Sequence, residues 1–172
     1  MDFPKLIDSL DRFGRLLPVL VNGISHSDAC WKPESGAWSI LEIVCHLADE
    51  EVEDFRCRVK MTLRDPSRPW PPIDPENVAI ERNYNEQNLE KVLERFVRER
   101  ESSVDWLRSL ENPNWDNAYE HPKFGPISVG DVMVGWAAHD QLHLRQIAKR
   151  MFEMNARDGA PYQTDYGGQW KA

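Results

Sequence analysis

The chain has 172 residues and a formal net charge of −8, with an isoelectric point near 5.1. Its length suits one domain of roughly 100 to 200 residues, and its acidity argues against nucleic acid or an anionic membrane as a partner. Because no apolar run approaches the roughly 18 residues that cross a bilayer and the first residues lack the apolar core of a signal peptide, we expect a cytoplasmic protein that acts on a small molecule.

Apolar spacing and a capping signal predict the first two helices. Apolar residues recur at three- and four-residue steps from Phe3 to Val21, which is typical of an amphipathic helix. A connector rich in Gly, Ser, Asn, Asp and Pro follows, as expected of a loop. It ends where Ser39 and Glu42 have the spacing of a capping box. We therefore expect a second helix from Ser39 to about Leu63.

A proline-rich loop separates the second helix from the third. Five of the twelve prolines lie within residues 65 to 75, which is too many for a helix or a central strand. Helical spacing of apolar residues resumes from Tyr84 to Leu110, with Glu and Arg on the other face. This pattern predicts the third helix.

The last helix follows a short stretch of turn residues. Gly and Pro punctuate residues 117 to 127, which predicts a short ribbon or turn. Ser128 and Asp131 then repeat the capping-box spacing, so a fourth helix is expected to reach about Met154.

Four long helices without a convincing sheet predict an all-α protein, an antiparallel-type four-helix bundle with long connectors. The predicted domain covers residues 1–156. Residues 157–172 are Gly-rich and aperiodic, and form either a mobile tail or an arm held by its aromatic residues. In such bundles, metal and cofactor sites are commonly built from side chains on facing helices.

Three histidines could supply an open site for a divalent metal ion. His139 and His143 are one helical turn apart, so both imidazoles share a face. His46 lies on the second helix, seven residues after Ser39. Counted from the two capping boxes, the three residues lie about 10 to 20 Å along their helices, within the length of the bundle. The connector residues His26 and His121 are assigned to surface or hydrogen-bonding roles.

A helical-wheel count describes the surroundings of these histidines. His46 shares its side with acidic residues, so we expect it to face a polar groove and not the core. The face of His139 and His143 is half apolar. The site is therefore predicted to be a groove with one wet wall. The residues on the side of His46 are Glu42, Glu50 and Glu53, and those on the opposite side are Leu41, Val44, Ala48, Val52, Phe55 and Val59. The residues that share the face of His139 and His143 are Val132, Trp136 and Ile147.

Several other side chains have two interpretations. Glu50 could be a general base or orient a ligand, or it could be a solvated carboxylate. Trp136 could line the pocket, although core packing suits it better. Trp70 and Asp74 are candidates for a lid. Asp49, Glu53 and Asp140 could pair with Arg56 and Arg145, or these arginines could bind an anionic substrate. Cys30, Cys45 and Cys57 have no CxxC spacing and are interpreted as apolar fillers.

Three segments, in this order and separation, carry a resemblance to a known family: GAWSILEIVCHLADEE, EDFRCRVKMTL and HPKFGPISVGDVMVGWAAHDQLHLRQI. The chain resembles the DinB-like superfamily, which includes the YfiT-type metal-dependent hydrolases and bacillithiol S-transferases, over nearly its whole length. The resemblance implies a four-helix bundle with one divalent ion held by His46, His139 and His143. Relatives often form dimers, so the resemblance also suggests a homodimer.

The ligand count bounds the chemistry. Three imidazoles leave a coordination position for water or substrate, which is typical of a catalytic site. Zinc and nickel both suit imidazole. We expect either a transferase that activates a low-molecular-weight thiol or a hydrolase that activates water. The alternative is a metal-binding or stress-response bundle without catalysis.

Overall fold

The structure is a computed structural model that describes residues 2–171, and its main body is a bundle of four long helical segments. The second segment contains a π-helical turn (Glu51–Phe55) between two α-helices, and 3₁₀ turns lie at Tyr84–Glu86 and Asp165–Gly167. The α-helices are α1 (Phe3–Leu20), α2 (His26–Ala29), α3 (Ile40–Glu50), α4 (Arg56–Arg64), α5 (Pro75–Glu81), α6 (Leu89–Arg108) and α7 (Val129–Asp158).

Both capping boxes are present and fix where α3 and α7 begin. The Ser39 hydroxyl accepts a bond from the Glu42 N–H at 3.1 Å, and the Ser39 N–H donates to the Glu42 carboxylate at 2.8 Å. Ser128 and Asp131 repeat the arrangement at 3.0 and 2.9 Å. These bonds satisfy N–H groups that a helix start leaves without partners.

The π-turn changes which residues of the second segment face inward. A π-turn closes i to i+5 bonds and shifts the phase of the residues that follow. Glu51 is 1% exposed, whereas Val52, expected on the apolar side, is 36% exposed. The prediction for Val52 is therefore wrong, because it assumed an uninterrupted α-helical period. Phe55 stacks on Trp136 with ring centroids 5.6 Å apart.

Two core clusters show the directions of the helices. One cluster joins the end of α1, α3, the start of α6 and the end of α7. The other joins the start of α1, α4, the end of α6 and the start of α7. Thus α1 and α7 run one way, and α3–α4 and α6 run the other. Both α1 and α3 contact α6 and α7, so consecutive segments in the chain are not all neighbours in the bundle.

This topology explains the long proline-rich connection. Because α4 and α6 run in the same direction, residues 65–88 must return along the bundle before α6 can begin. The connection contains the short helix α5, which sequence periodicity did not predict. The third helix was predicted from Tyr84, but α6 begins at Leu89 after the N-cap Asn88. Tyr84 is instead a buried residue of the connection, 1% exposed.

The remaining segments lie at the ends of the bundle. The predicted ribbon is present, with β1 (Ala118–His121) antiparallel to β2 (Gly125–Ser128). In the C-terminal arm, Trp170 packs on Phe152 with ring centroids 5.8 Å apart. Within residues 2–171, no helix is both long and apolar enough to cross a membrane.

Candidate metal centre

The structure brings the three predicted histidines together between α3 and α7. The Nε2 atom of His139 lies 3.3 Å from Nε2 of His46 and 3.0 Å from Nε2 of His143. One ligand atom from each residue lies within 4.8 Å of the others. His46 and His143 are buried, and His139 is half-buried. The i, i+4 spacing on α7 and the antiparallel packing of α3 produce this convergence.

The imidazoles are held in their neutral form. Burial lowers the pKa of His46 and of His139 to about 3, and the neighbouring His143 adds to both shifts. Burial also lowers the pKa of His143 to about 4. A neutral imidazole keeps a lone pair on one ring nitrogen. At pH 7 the cluster can therefore offer three nitrogen lone pairs to one cation.

Contacts around the cluster orient the rings. Nδ1 of His143 lies 2.9 Å from Oε1 of Gln146. Because an amide oxygen can only accept, Nδ1 carries the proton and Nε2 keeps its lone pair. The Trp38 ring lies 5.0 Å from that of His46, and the Phe55 ring lies 5.0 Å from that of His139.

These distances suit a first-row divalent ion. With metal–nitrogen bonds of about 2.0 to 2.1 Å, the corners of a tetrahedron are about 3.3 Å apart. The two Nε2 separations that involve His139 are close to this value. Three imidazoles would leave a fourth position open. The residues present therefore fit a zinc or nickel ion with room for a further ligand.

An open pocket of about 1150 Å³ lies against the histidines. Its walls come from α3, α7, the segment before α3, and the proline-rich connection with α5. Apolar residues and charged residues both contribute. The lining residues are Lys32, Gly36, Ala37, Trp38, Glu42, Ile43, His46, Glu50, Asp54, Phe55, Ile73, Asp74, Pro75, Glu76, Ala79, Ile80, His139, His143, Gln146, Lys149 and Arg150.

The expectation that His46 avoids the interior needs correction. His46 is only 5% exposed, and Glu42 and Glu50 on the same side are buried as well, whereas Glu53 stays exposed. Asp49 on this face accepts bonds from Tyr84 and Arg82, each at 2.5 Å, and pairs with Arg95 at 2.6 Å. A wheel of α3 alone cannot show this cover, because the partners come from other segments. The pocket is open, as predicted, but His46 lies at its floor.

Glu50 lies beside the cluster, as the sequence predicted. Its Oε1 is 3.8 Å from Nδ1 of His46. Burial raises the pKa of Glu50 to about 8, and its hydrogen bond with Asp54 adds to the shift. Asp54 in turn pairs with Arg58. The side chain is therefore not a solvated carboxylate, which was the alternative interpretation.

A buried ion network ties the helices together behind the histidines. Arg100 on α6 is 2% exposed. It donates to Asp140 at 2.6 and 2.9 Å, to Glu51 at 2.8 Å, and to the carbonyl of Leu10 at 3.0 Å. Asp140 directly follows His139 in the chain. The network thus links α1, the π-turn and α6 to the turn of α7 that holds the histidine pair.

Of the other candidates, Trp70 and Trp136 lie away from the pocket, whereas Asp74 lines it. Trp70 donates to Thr62 at 3.0 Å and packs on Tyr119, so it anchors the proline-rich connection rather than a lid. Asp74 does line the pocket and also caps α5. Trp136 is a core residue that donates to Glu51 at 3.2 Å.

The remaining polar candidates pair with other partners. Arg56 pairs with Glu99 and Glu53 with Arg82, while Arg145 donates to the carbonyl of Lys171. His26 and His121 are outside the cluster, and the three cysteines are free.

Sequence reasoning missed several pocket residues. Gln146 and Arg150 follow His143 by three and seven residues, so they share its helical face. A longer wheel of α7 would have found both. Lys32 and Trp38 lie in a connector whose path only the folded chain defines.

Comparison with known proteins agrees with this architecture. The model of the DinB superfamily matches residues 9–147. The chain belongs to the DinB superfamily. Two proteins of Oceanobacillus iheyensis, each named "Putative metal-dependent hydrolase", are similar to this superfamily member. One is 28% identical over 149 residues, covering 85% of this chain and 83% of the relative. The other is 25% identical over 141 residues, covering 82% and 81%.

A solved structure shows the same fold. YfiT from Bacillus subtilis is described as "a probable metal-dependent hydrolase with an unusual four-helix bundle topology". It superimposes with a TM-score of 0.80 at 19% identity, covering 89% of this chain and 87% of that chain. The predictions of an all-α four-helix bundle and of DinB-like membership are confirmed.

Proposed function

We propose that His46, His139 and His143 bind one divalent metal ion and that the protein is a metal-dependent enzyme for a small-molecule substrate. The observation that carries this proposal is the convergence of three imidazoles at one side of an open pocket. A metal ion there would act as a Lewis acid and lower the pKa of a bound water or thiol. Zinc and nickel are the candidate ions.

Hydrolysis is the first candidate reaction. Two relatives are each named "Putative metal-dependent hydrolase", and Glu50 is this chain's candidate for the proton transfer that hydrolysis requires. Glu50 lines the pocket, with Oε1 3.8 Å from Nδ1 of His46. Nδ1 is the ring nitrogen away from the Nε2 cluster, so this contact would orient the His46 ring. Because Glu50 also lines the pocket, it is the candidate to exchange a proton with a group bound there. Phe55 and Trp38 pack beside the His139 and His46 rings.

Transfer of a low-molecular-weight thiol is the second candidate, and the size of the pocket favours it. Binding sites for a single drug-sized ligand commonly have about 300 to 1,000 Å³. The volume of about 1150 Å³ therefore has room for a thiol and an acceptor together. In this reaction the ionised form of Glu50, which its pKa of about 8 makes the minor form at pH 7, would take the thiol proton. The sulfur would form a bond to the acceptor, and the leaving group would depart with its electron pair.

Metal binding and turnover can be tested on the same samples. We would load the purified protein with zinc or nickel and measure the stoichiometry by metal analysis. Hydrolysis would be followed with para-nitrophenyl acetate, and thiol transfer by the loss of a small thiol with monochlorobimane. The variants are His143→Ala, Glu50→Gln and the control His26→Ala, which removes a histidine outside the cluster.

The expected result is one ion per chain in the wild type and in His26→Ala, with loss of tight binding in His143→Ala. Glu50→Gln should bind the ion but turn over at least about a hundredfold more slowly, the lower end of the range for a group that transfers protons. Activity that survives His143→Ala would overturn the metal mechanism. Stoichiometric metal uptake with no turnover in either assay would favour a metal-binding protein without catalysis.

A further inference from the structure

The two buried arginines of the bundle differ in how their guanidinium groups are satisfied. Arg100 uses Nε, Nη1 and Nη2 in four hydrogen bonds to protein oxygens. Arg150 is also buried, at 4% exposed, but it pairs with Glu153 alone among residues 2–171, through Nη1 at 2.6 Å. A guanidinium has five N–H donors. Arg100 is therefore satisfied by the fold, whereas Arg150 keeps donors for another acceptor.

The donors of Arg150 are available to the pocket. Arg150 lines it together with His139 and His143. These residues are spaced by four and seven positions on α7, which places them on one helical face. A ligand bound at the cluster can thus reach Arg150 without leaving the pocket.

Charge divides the pocket into two ends. Lys32, Lys149 and Arg150 lie at the end formed by the start of α3 and the later part of α7. Glu42 lies there too, and its charge is matched by Lys32 at 2.8 Å. The acidic lining residues Glu50, Asp54, Asp74 and Glu76 belong to the later part of the second segment and to the proline-rich connection. Glu153 pairs with Arg150 at 2.6 Å, so the three cationic side chains at this end face two carboxylates and keep one net positive charge. This end can therefore attract an anion, although the protein as a whole is acidic.

We propose that the substrate of this pocket carries a carboxylate, or a similar oxyanion, that binds Arg150 while its reacting group lies at the three histidines. This inference rests on the proposed function for the position of the reacting group. The planar guanidinium matches a carboxylate through two parallel N–H donors. Seven residues separate His143 from Arg150, about 10 Å along the helix axis. The substrate therefore has its anion several bonds away from its reacting atom.

Two thiols of equal length provide the probe. Mercaptohexanoate carries a thiol and a carboxylate at opposite ends of an aliphatic chain, and mercaptohexanol replaces the carboxylate by a neutral hydroxyl. Each would be titrated into the cobalt-loaded protein, with the thiolate-to-cobalt charge-transfer absorption as the signal. The variants are Arg150→Gln, Arg150→Lys and the control Arg145→Gln, an exposed residue of α7.

In the wild type and in Arg145→Gln, we expect mercaptohexanoate to bind about tenfold more tightly than mercaptohexanol, as one charge-assisted contact provides. In Arg150→Gln the two thiols should bind equally, with mercaptohexanol unchanged. Arg150→Lys keeps the positive charge but lacks the two parallel N–H donors of the guanidinium, so it should keep only part of the preference for mercaptohexanoate. This variant also serves if Arg150→Gln does not fold.

A second measurement does not depend on the metal. The Arg150 Nε–H signal in the ¹⁵N spectrum of the metal-free protein, assigned by its loss in the variants, should shift on addition of hexanoate. Equal binding of the two thiols to the cobalt-loaded wild type would overturn the carboxylate proposal alone. A protein that does not bind cobalt, but whose Arg150 signal responds to hexanoate, would overturn the metal proposal and leave the anion site standing.

Discussion

Replacing Gly14 by alanine should destabilise the protein, although alanine is the better helix former. Gly14 lies inside α1, where an added Cβ would be 2.8 Å from Cγ of Arg100. The guanidinium of Arg100 is held by four hydrogen bonds, so its stem has little freedom to move aside. The substitution therefore forces a shift in the ion network, in α1 or in both.

The size of the effect follows from two opposing terms. Alanine gains about 1 kcal/mol over glycine inside a helix. Overpacking a well-filled interior costs about 1 to 3 kcal/mol. Because the clash involves a restrained stem and not a free side-chain end, we expect the upper part of this cost, about 2 to 3 kcal/mol. The net loss in the free energy of unfolding is then about 1 to 2 kcal/mol.

Gly135 provides the matched control. It lies inside α7, and no atom is within 4 Å of the Cβ that alanine would add. Gly135→Ala should therefore stabilise the protein by up to about 1 kcal/mol. Urea unfolding followed by circular dichroism should show the two midpoints moving in opposite directions. If both substitutions raised the midpoint equally, the Arg100 stem would not be fixed, and the role assigned to the network would be wrong.

Two further predictions concern titrating groups. In metal-free protein, the unfolding free energy of the wild type should fall faster than that of His143→Gln as the pH drops from 6.5 towards 4. The reason is that burial keeps this imidazole neutral in the folded chain, whereas the unfolded chain protonates it. The difference in slope should reach up to about 1.4 kcal/mol per pH unit, and parallel urea-derived stability curves for the two proteins would contradict this. Burial raises the pKa of Cys45 to about 12, so this thiol should not react with Ellman's reagent at pH 8 in the folded protein. The native wild type and native Cys45→Ala should therefore show the same number of thiols, and the wild type should show one more only after unfolding. An extra thiol in the native wild type would show that Cys45 is accessible.

The helix starts were predictable because their signals are local. Each capping box involves a serine and an acidic residue three positions later, and both sets of bonds lie within one helical turn. The third helix was predicted to begin too early for a related reason. Tyr84 continues the apolar spacing, but it is buried through contacts of the connection, whereas the N-cap Asn88 marks the start of α6.

The two ends of the pocket were less predictable. The histidine pair, Gln146 and Arg150 share one face of one helix, and that information is present in the spacing. Whether Arg150 or Arg100 has spare donors depends on which carboxylates come from other segments. Glu51 and Asp140 surround Arg100, whereas Arg150 has Glu153 from its own helix.

By itself, the sequence determined the four helical segments, the two capped starts and the candidate histidines, because periodicity and capping depend on residues within a few positions of one another. Only the tertiary structure decided that His46 lies at the floor of a pocket, that a π-turn changes the inward face after Glu50, and that the proline-rich connection covers the acidic side of α3. The physical reason is that burial and ion pairing are properties of neighbours. Those neighbours are brought together by the arrangement of the helices in the bundle, which the sequence of one helix does not show.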